Sequence, residues 1–466
     1  MHLKAPLTKL LRRDARGIHA ALLDSRRYER QIDRLHQRHL YDGGLHELSD
    51  GELNLSTVVM HRDHVARLLA RMVKAGEYEL RPATVREIIV EGKQRTVFEY
   101  PLLDLIIHGV VADILAEMVE PRLSSSLYSY RPGVSSVDGV KALARYLRRH
   151  VRDRPDPLTR GVYVVRRDID SYTDSIPLGS DAAIWKQLKA AIASRPGAQP
   201  TADDWRLVQE IVRPTVLTED GQPATRLHGV ATGQPISCVC FNLNLSDVDR
   251  KMRAFGGFYA RYSDDLIFVH PDADIAREAS ALLAAHVAEL GLQLNSDKSR
   301  DLYLTGAGRK STDWPEAQGT TSAIFLGMRV ALDGTIALGH RKGRVLLREA
   351  RRRAFNTAQA LEQSDPEERG AAVTGILNEL LDPDYSQLQA PSAALLAQTV
   401  TDRRQLAELD HQIALIVASA TTGIRGPRAF RGAPYRQIRR EWGLRSLRRA
   451  RDRTQTLPRK RPAPTP

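Results

Sequence analysis

The chain has 466 residues, of which 42% are hydrophobic and 27% are charged; this composition excludes a disordered protein and predicts two or three globular domains. Its net charge of +13 at pH 7 is concentrated between Ile424 and Arg461, where fourteen Lys or Arg residues accompany only two acidic ones, so that this segment predicts a polyanionic partner such as nucleic acid. Two cysteines only two positions apart, Cys238 and Cys240, and the lack of a signal sequence or membrane-spanning run predict a cytoplasmic protein without a membrane partner.

The first third of the chain begins with helical patterns and continues with strands. Residues 1 to about 80 place leucines at three- and four-residue spacing among arginines, as in HVARLLARMV, which predicts helices. From Val85 to Ala116 the sequence predicts a strand, a tight Glu91-Gly92 turn, a second strand that carries Arg95, and an apolar helix.

The remaining segments are mostly helical outside the motifs discussed below. Residues 177 to 215 predict helices around a turn-rich stretch, and Asp220-Gly221 predicts a hairpin turn within Val216 to Leu227. From about residue 340 the pattern is helical again. The polar, proline-rich C-terminal end is predicted to be disordered.

Three carboxylates lie at the ends of predicted strands. In GVYVVRRDIDSYTDSI, alternating apolar residues predict a strand that delivers Asp168 at its end. In GFYARYSDDLIFVH, strands from Phe258 to Tyr262 and from Leu266 to Val269 bracket Ser263-Asp264-Asp265 as a tight hairpin tip. Adjacent like charges are costly to bury without a cation between them, and hard oxygen ligands favour Mg²⁺ or Mn²⁺. The pattern predicts a site for two such ions, about 3.5–4 Å apart, that serves phosphoryl transfer.

The order of these motifs resembles the palm of a reverse transcriptase. Further blocks are similar to that family in the same order: KQR (93–95) to the basic fingers segment, SYRPGVSS (129–136) to the block ahead of the palm, GVATGQPISCVCFNLNLSDVD (229–249) to the glycine-centred block, GLQLNSDKS (291–299) to the lysine block and FLGMRVALDG (325–334) to the primer grip. The resemblance covers roughly residues 85 to 340. It implies an α+β fold with right-hand polymerase architecture, in which an antiparallel-sheet palm is joined by fingers and a helical thumb.

The resemblance also implies how the chain is divided. We expect an N-terminal helical extension at 1–80, fingers at 81–160, a palm at 161–338 with inserted fingers helices at about 177–215, a helical thumb and nucleic-acid-binding region at 339–453, and a disordered basic tail at 454–466.

Individual roles follow where residues match the motifs of the family. The catalytic residues are expected to be Asp168, Asp264, Asp265 and Lys298, the lysine as a phosphate contact or as proton donor to the departing pyrophosphate. The metal ligands are expected to be Asp168, Ile169, Asp264 and Asp265. The nucleotide is expected to contact Lys93, Arg95, Ile169, Thr173, Gly233 and Gln234, and the primer grip is expected at Phe325, Leu326 and Gly327. Nucleic acid is expected to contact Arg425, Arg428, Arg431, Tyr435, Arg436, Arg439 and Arg440.

One position departs from the family pattern. Thr173 lies five residues after Asp168, where related reverse transcriptases usually place an aromatic ring against the sugar of the incoming nucleotide. A threonine is smaller than such a ring, and its hydroxyl can hydrogen-bond to a 2′-hydroxyl. We therefore predict weak discrimination against ribonucleotides, with Tyr172 as the competing candidate for this role.

The blocks DIDSYTDSI and GVATGQPIS and the segment from Thr422 to Leu447 look most like the defence-associated, or "unknown group", bacterial reverse transcriptases. This resemblance implies a role in stopping phage infection, with RNA template, DNA product, dNTPs and two Mg²⁺ or Mn²⁺ ions as partners. Alternatives are a retron- or group II intron-type enzyme, an RNA-templated RNA polymerase, and a catalytically idle RNA-binding protein of the same fold. A bound noncoding RNA and a second copy of the chain stay open.

Overall fold

The computed structural model of the chain describes residues 17–42, 49–51, 53–90, 93–194, 199–218, 220–231, 233–381, 399–449 and 451, without the side chains of 41–42, 88–90 and 93–95. The predicted Glu91-Gly92 turn and the predicted tail at 454–466 lie outside these residues. The chain forms two compact units. The first comprises Met1–Gly139 and Tyr163–Asp301, and the second comprises Val140–Val162 and Leu302–Pro466.

The first unit is organised around one apolar helix. Its N-terminal helices and that central helix are α1 (Ile18–Leu22), α2 (Ser25–Asp42), α3 (Leu55–Met60), α4 (Arg62–Ala75) and α5 (Leu102–Val119), with a small hairpin of β1 (Ser49–Asp50) and β2 (Leu53–Asn54). Helix α5 is apolar on nearly every side, and its side chains are almost all buried. On α2, Arg27 donates two hydrogen bonds to Glu117 of α5, at 2.8 and 3.0 Å. The prediction of helices in this region is confirmed.

Two hairpins follow as predicted. Strands β3 (Thr84–Val90) and β4 (Lys93–Glu99) are antiparallel. Strands β6 (Thr215–Leu217) and β7 (Pro223–Thr225) are antiparallel around Gly221, whose positive φ of 74° suits the predicted turn. Their shared core includes Phe98, Tyr100 and Val216.

The sheet at the centre of the first unit is built by strands β5 (Val162–Asp168), β8 (Phe258–Tyr262) and β9 (Asp265–His270). Strand β9 pairs antiparallel with both β5 and β8, which gives the order β5–β9–β8. Strand β5 belongs to this unit from Tyr163 onward. The remaining helices of this unit are α7 (Tyr172–Ser175), α8 (Ala183–Ala193), α9 (Ala202–Val212), α10 (Pro235–Asn244), α11 (Ser246–Ala254) and α12 (Ala273–Glu289). Helices α11 and α12 pack on β8 and β9, whereas α2, α8 and α10 pack on α5 and form an apolar core with it.

The second unit combines short strands with a helical bundle. Its first helix α6 (Ser136–Arg152) belongs to it from Val140 onward and buries Leu143 and Leu147. Its strands are β10 (Arg300–Leu304), parallel to β11 (Gln318–Thr320), and the antiparallel set β12 (Ser322–Phe325), β13 (Met328–Ala331) and β14 (Ile336–Leu338).

Helices α13 (His340–Ala360), α14 (Pro366–Leu380) and α15 (Arg403–Thr422) pack against one another. The basic segment after α15 contains a 3-10 helix (Pro427–Arg431) and α16 (Tyr435–Arg440), and both pack on α15. Trp442 lies against Gly370 of α14 and donates a hydrogen bond from Nε1 to Glu367 at 2.8 Å. The described part of the basic segment therefore packs against the bundle through its apolar residues.

The α+β class predicted from the sequence is confirmed. The strands pair mostly antiparallel, and helices are interspersed among them along the chain. Over the described residues, no helix combines the length and the apolar character needed to cross a bilayer.

Candidate active site

Strand β5 places Asp168 at the edge of the first unit's sheet. The strand reads VYVVRRD and is buried along nearly its whole length, which fixes its register in the core. Asp168 is paired with Asp265 of β9, and its side chain is largely buried. The backbone carbonyl of Asp168 accepts a hydrogen bond from the N–H of Asn295 at 2.8 Å. The sequence therefore predicted the position of this carboxylate correctly.

The hairpin tip differs in one detail from the prediction. Ser263 and Asp264 alone form the turn, because Tyr262 and Asp265 already pair as the last and first residues of β8 and β9. Asp265 thus belongs to a strand and lies opposite Asp168 rather than in the tip. Ser263 has a φ of 56°, in the left-handed region, which a two-residue turn of this kind requires.

Burial makes the ionised forms of Asp264 and Asp265 unfavourable. Burial raises the pKa of Asp264 above its usual value, and the nearby charge of Asp168 raises it further. Burial likewise raises the pKa of Asp265, although Arg166, whose Nε lies 3.3 Å from Asp265 Oδ1, opposes that shift. Lys298 donates a hydrogen bond from Nζ to Asp168 Oδ1 at 2.6 Å. Two cations therefore offset part of the repulsion among the three acids.

Oxygen ligands for a divalent cation are present in this cluster. Partly desolvated, like-charged carboxylates fit a hard cation such as Mg²⁺, which lowers the cost of keeping them ionised. The backbone of Ile169 adjoins them, since its N–H donates to the carbonyl of Asp264 at 3.3 Å. Within the described ranges, no three His, Cys, Asp or Glu side chains are already arranged as a metal cage. Lys298 and Arg166 hold two of the acids instead.

The predicted nucleotide contacts belong to the same unit. Thr173 lies on the short helix α7 and is half-buried, whereas its neighbour Tyr172 is buried and donates its hydroxyl hydrogen to the carbonyl of Phe241 at 2.8 Å. Tyr172 is thus engaged in the core, which leaves Thr173 as the residue of this pair with exposed surface.

Gly233 and Gln234 directly precede the first residue of helix α10. Gly233 has a φ of 95°, which favours glycine, although a Cβ there would meet no atom within 4 Å. Gln234, at the N-cap of α10, is buried, and its amide makes no hydrogen bond of good geometry. Lys93 and Arg95 lie on β4, but their side chains are outside the described part of the structure.

The predicted primer grip lies in the second unit. Phe325 is fully buried at the end of β12, and Leu326 and Gly327 form a two-residue turn with φ values of 52° and 73°. Lys342 donates a hydrogen bond from Nζ to the carbonyl of Leu326 at 2.8 Å, and burial lowers the pKa of this lysine. The turn is therefore held by helix α13.

The basic segment of the second unit forms a cleft of about 870 Å³. Its lining is dominated by arginines and comprises Ala407, Asp410, Tyr435, Arg436, Arg439, Arg440, Leu444, Arg445, Ser446, Arg448 and Arg449. Arg445, Arg448 and Arg449 were absent from the set predicted from the sequence, although they belong to the same basic run. Arg425, Arg428 and Arg431 lie on or beside the 3-10 helix and do not line the cleft.

Arg439 differs from the other predicted nucleic-acid contacts because its guanidinium is engaged internally. It donates to the carbonyls of Asp410, Leu444 and Arg445 at 2.7 to 3.1 Å. Asp410 is buried and accepts hydrogen bonds from the hydroxyl of Ser446 at 2.6 Å and from the N–H of Leu447 at 2.8 Å. Arg439 and Asp410 therefore support the wall of the cleft.

The sequence did not reveal a buried network next to the Ser263–Asp264 turn. It joins Ser129, Asn242, Asp249 and Arg261, which are all buried. Arg261 is the fourth residue of the strand FYARY, and the pattern of this strand gives no sign that an arginine there is buried.

Comparisons with known proteins converge on one family. A family model described as reverse transcriptase (RNA-dependent DNA polymerase) matches residues 91–330, more than half of the chain. The retron Mx65 reverse transcriptase of Myxococcus xanthus is 30% identical over 109 residues, which are 20% of this chain and 26% of that protein. The match thus spans about a quarter of the relative.

Two telomerase structures are also similar. The apo telomerase of Candida tropicalis truncated from its C-terminal domain has a TM-score of 0.42 and 12% identity, over 57% of this chain and 58% of that one. The telomerase of Candida albicans in complex with a TWJ fragment of telomeric RNA has a TM-score of 0.44 and 11% identity, over 82% and 67%.

Proposed function

The chain belongs to the reverse transcriptase family of RNA-dependent DNA polymerases, and from this membership we propose that it extends a primer with deoxynucleotides on an RNA template. The observation that carries the proposal is the β5–β9 register, which sets Asp168 beside Asp265 with Asp264 next in the turn. Two adjacent carboxyl groups whose pKa values are raised by desolvation do not stabilise the fold. They suit a site that binds cations and phosphate.

The mechanism assigns a task to each group of residues. Asp168, Asp264, Asp265 and the Ile169 carbonyl would hold two Mg²⁺ or Mn²⁺ ions, which when bound favour the ionised primer hydroxyl and neutralise charge on the triphosphate. Lys298 is positioned beside Asp168 to contact a phosphate or to give a proton to the departing pyrophosphate. Lys93, Arg95, Thr173, Gly233 and Gln234 would orient the nucleotide, and the turn from Phe325 to Gly327 would hold the primer.

Substitution of the carboxylates tests this function. Asp168→Asn, Asp264→Asn and Asp265→Asn should each reduce primer extension by at least ~10²–10³-fold, because each removes charge from a site that needs it. Asp170→Asn is the matched control, since Asp170 is exposed and its carboxylate contacts only Asn295 and Ser171 among the described hydrogen bonds. Near-normal extension by Asp168→Asn would contradict the site assignment. Assays with deoxy- and ribonucleotides separate a reverse transcriptase from an RNA polymerase.

The biological setting is also proposed. Similarity of three sequence blocks to the defence-associated bacterial enzymes supports a cytoplasmic anti-phage role, which plaque counts on cells carrying the natural chain or the Asp264→Asn variant would test. Equal plaque numbers would refute it. The retron alternative is favoured by the match to the Myxococcus xanthus enzyme. Sequencing of the nucleic acid that copurifies with the protein distinguishes the retron type from the defence-associated type. One defined noncoding RNA in the sample would support the retron type, and a sample without such an RNA would oppose it.

The arginine cleft is proposed to bind the nucleic-acid backbone, with Tyr435 as a surface for base stacking. Tyr435 is 43% exposed and lies next to Arg436 on the rim. Arg436→Gln and Arg448→Gln should each weaken binding and reduce the salt slope by ~0.7–0.9. Arg404→Gln removes the same charge from an exposed site outside the cleft and is the control. Equal effects of all three variants would mean that only net charge matters.

A further inference from the structure

Arg261 is fully buried, two residues before Ser263 of the hairpin turn, and all five of its N–H donors have acceptors. Nε and Nη2 each donate to Asp249, both at 2.7 Å. Nη2 also donates to the carbonyl of Asn242 at 2.9 Å, and Nη1 donates to the carbonyls of Ser263 at 3.1 Å and Phe241 at 3.4 Å. A guanidinium with this geometry is a rigid connector among these groups.

The acceptors of Arg261 belong to different parts of the candidate active site. Phe241 and Asn242 lie near the C-terminal end of α10, where helical carbonyls lack partners within the helix. The same helix begins at Pro235, directly after Gly233 and Gln234. The carbonyl of Ser263 belongs to the turn that carries Asp264. Arg261 thereby connects helix α10 with the Ser263–Asp264 turn.

Ser129 forms a second connection between the same elements. Its hydroxyl accepts a hydrogen bond from the N–H of Ser263 at 2.9 Å and donates one to Asn242 Oδ1 at 2.9 Å. The amide of Asn242 donates in return to the carbonyl of Ser129 at 2.9 Å. Ser263 therefore has its N–H held by Ser129 and its carbonyl held by Arg261, in a left-handed conformation that a serine rarely adopts alone.

Stability alone is a poor reason for such a network. Taking two charges out of water costs about as much as their attraction returns, and apolar replacements of buried pairs are often neutral or stabilising. The pair of Arg261 and Asp249 does, however, impose one relative position on every element that it touches.

We propose that Arg261, supported by Asp249 and Ser129, is a positioning residue that holds the Ser263–Asp264 turn at a fixed place relative to helix α10. It thereby sets the distance between the nucleotide side and the carboxylate side of the site. This inference rests on the proposed polymerase function. A lysine keeps the charge but supplies three donors on a flexible stem, so that it cannot reproduce the five directed hydrogen bonds.

The test compares Arg261→Lys with Arg27→Lys in the full chain. Arg27 also forms a largely buried bidentate pair, with Glu117 of helix α5, and neither of these two hydrogen bonds involves the turn. Two quantities are measured under conditions where each variant is folded: amide hydrogen exchange of the peptide containing Ser263, and kcat and KM for primer extension. Ser129→Ala is the second variant, because it removes the acceptor of the Ser263 N–H and leaves the ion pair intact.

For Arg261→Lys and Ser129→Ala we expect exchange of the Ser263 amide to accelerate by at least ~10-fold and kcat to fall by ~10–10²-fold, because small displacements of reacting groups are costly. Arg27→Lys should keep both quantities within about twofold of the natural protein.

Faster exchange with unchanged kcat, or lower kcat with unchanged exchange, overturns the inference. So does an equal effect of Arg27→Lys. A natural protein without polymerase activity would refute the proposed function, while the exchange measurement would still decide whether these residues hold the turn.

Discussion

Replacement of Asp264 by asparagine is expected to stabilise the protein in the absence of divalent cations while it removes activity. The folded-state pKa of Asp264 lies above the usual value of 3.8, mainly because the carboxyl is desolvated. The folded protein therefore binds the proton more tightly than the unfolded chain does. Its ionisation costs no stability below pH 3.8, begins to cost as the pH rises above that value, and costs the full amount above the folded-state pKa.

The size of the effect follows from the shift. Each unit by which folding raises the pKa costs about 1.4 kcal/mol at neutral pH. Asparagine has nearly the same shape and no charge, so that Asp264→Asn should recover this free energy and raise Tm by ~1–2 °C for each kcal/mol in a chain of 466 residues. The remaining exposure of the carboxyl reduces the gain.

Thermal unfolding measured by circular dichroism in EDTA provides the assay. The gain in Tm at neutral pH should shrink as the pH is lowered toward 3.8. Addition of Mg²⁺ should stabilise the natural protein more than the variant, because a ligand stabilises only the state that binds it. Asp272→Asn is the control, since two backbone N–H groups at the start of α12 lower the pKa of Asp272 and no gain is expected there. A Tm of Asp264→Asn equal to or below that of the natural protein would refute the desolvation argument.

Three further outcomes are expected. Lys298→Met should lower the rate constant of single-turnover primer extension by ~10²-fold or more, with Lys298→Arg less affected; equal activity of Lys298→Met would remove the lysine from the mechanism. Thr173→Phe should raise the preference for deoxy- over ribonucleotides by ~10-fold, measured as the ratio of incorporation efficiencies, and strong discrimination unchanged by the substitution would exclude Thr173 as the gate. In helix α14, Gly370→Ala should lower the free energy of unfolding by ~1–3 kcal/mol because its Cβ would overlap the Trp442 ring. Gly375→Ala, whose Cβ would meet no atom within 4 Å, should raise that free energy by ~1 kcal/mol. Denaturant titrations measure both changes, and changes of the same sign would contradict this packing.

The sequence predicted the elements that carry the carboxylates because their signals are local. Strand β8 spans Phe258–Tyr262 as predicted, because a short run of mostly apolar and aromatic residues favours a strand over a helix. The placement of Asp265 in β9 was missed because a two-residue turn depends on the pairing of Tyr262 across the hairpin, which no single strand pattern encodes.

Long-range pairing of polar side chains was the part that the sequence could not predict. Arginine is normally an exposed residue, so that nothing in the local pattern distinguishes the buried Arg261 from a solvated one. The same holds for Arg439, predicted as a nucleic-acid contact, whose guanidinium donates hydrogen bonds to three backbone carbonyls. Both depend on acceptors that the fold brings together from distant positions.

The interleaving of the two units has a consequence for synthesis on the ribosome. The segment Val140–Val162 belongs to the unit whose remaining residues begin only at Leu302. At ~5–20 residues per second, the ribosome needs roughly 7–28 s to make the intervening stretch. During that interval Leu143 and Leu147 of α6 have no completed core to enter. The nascent chain thus presents the uncovered apolar face of an amphipathic helix to chaperones until late in translation, and slower elongation across residues 163–301 would lengthen that exposure.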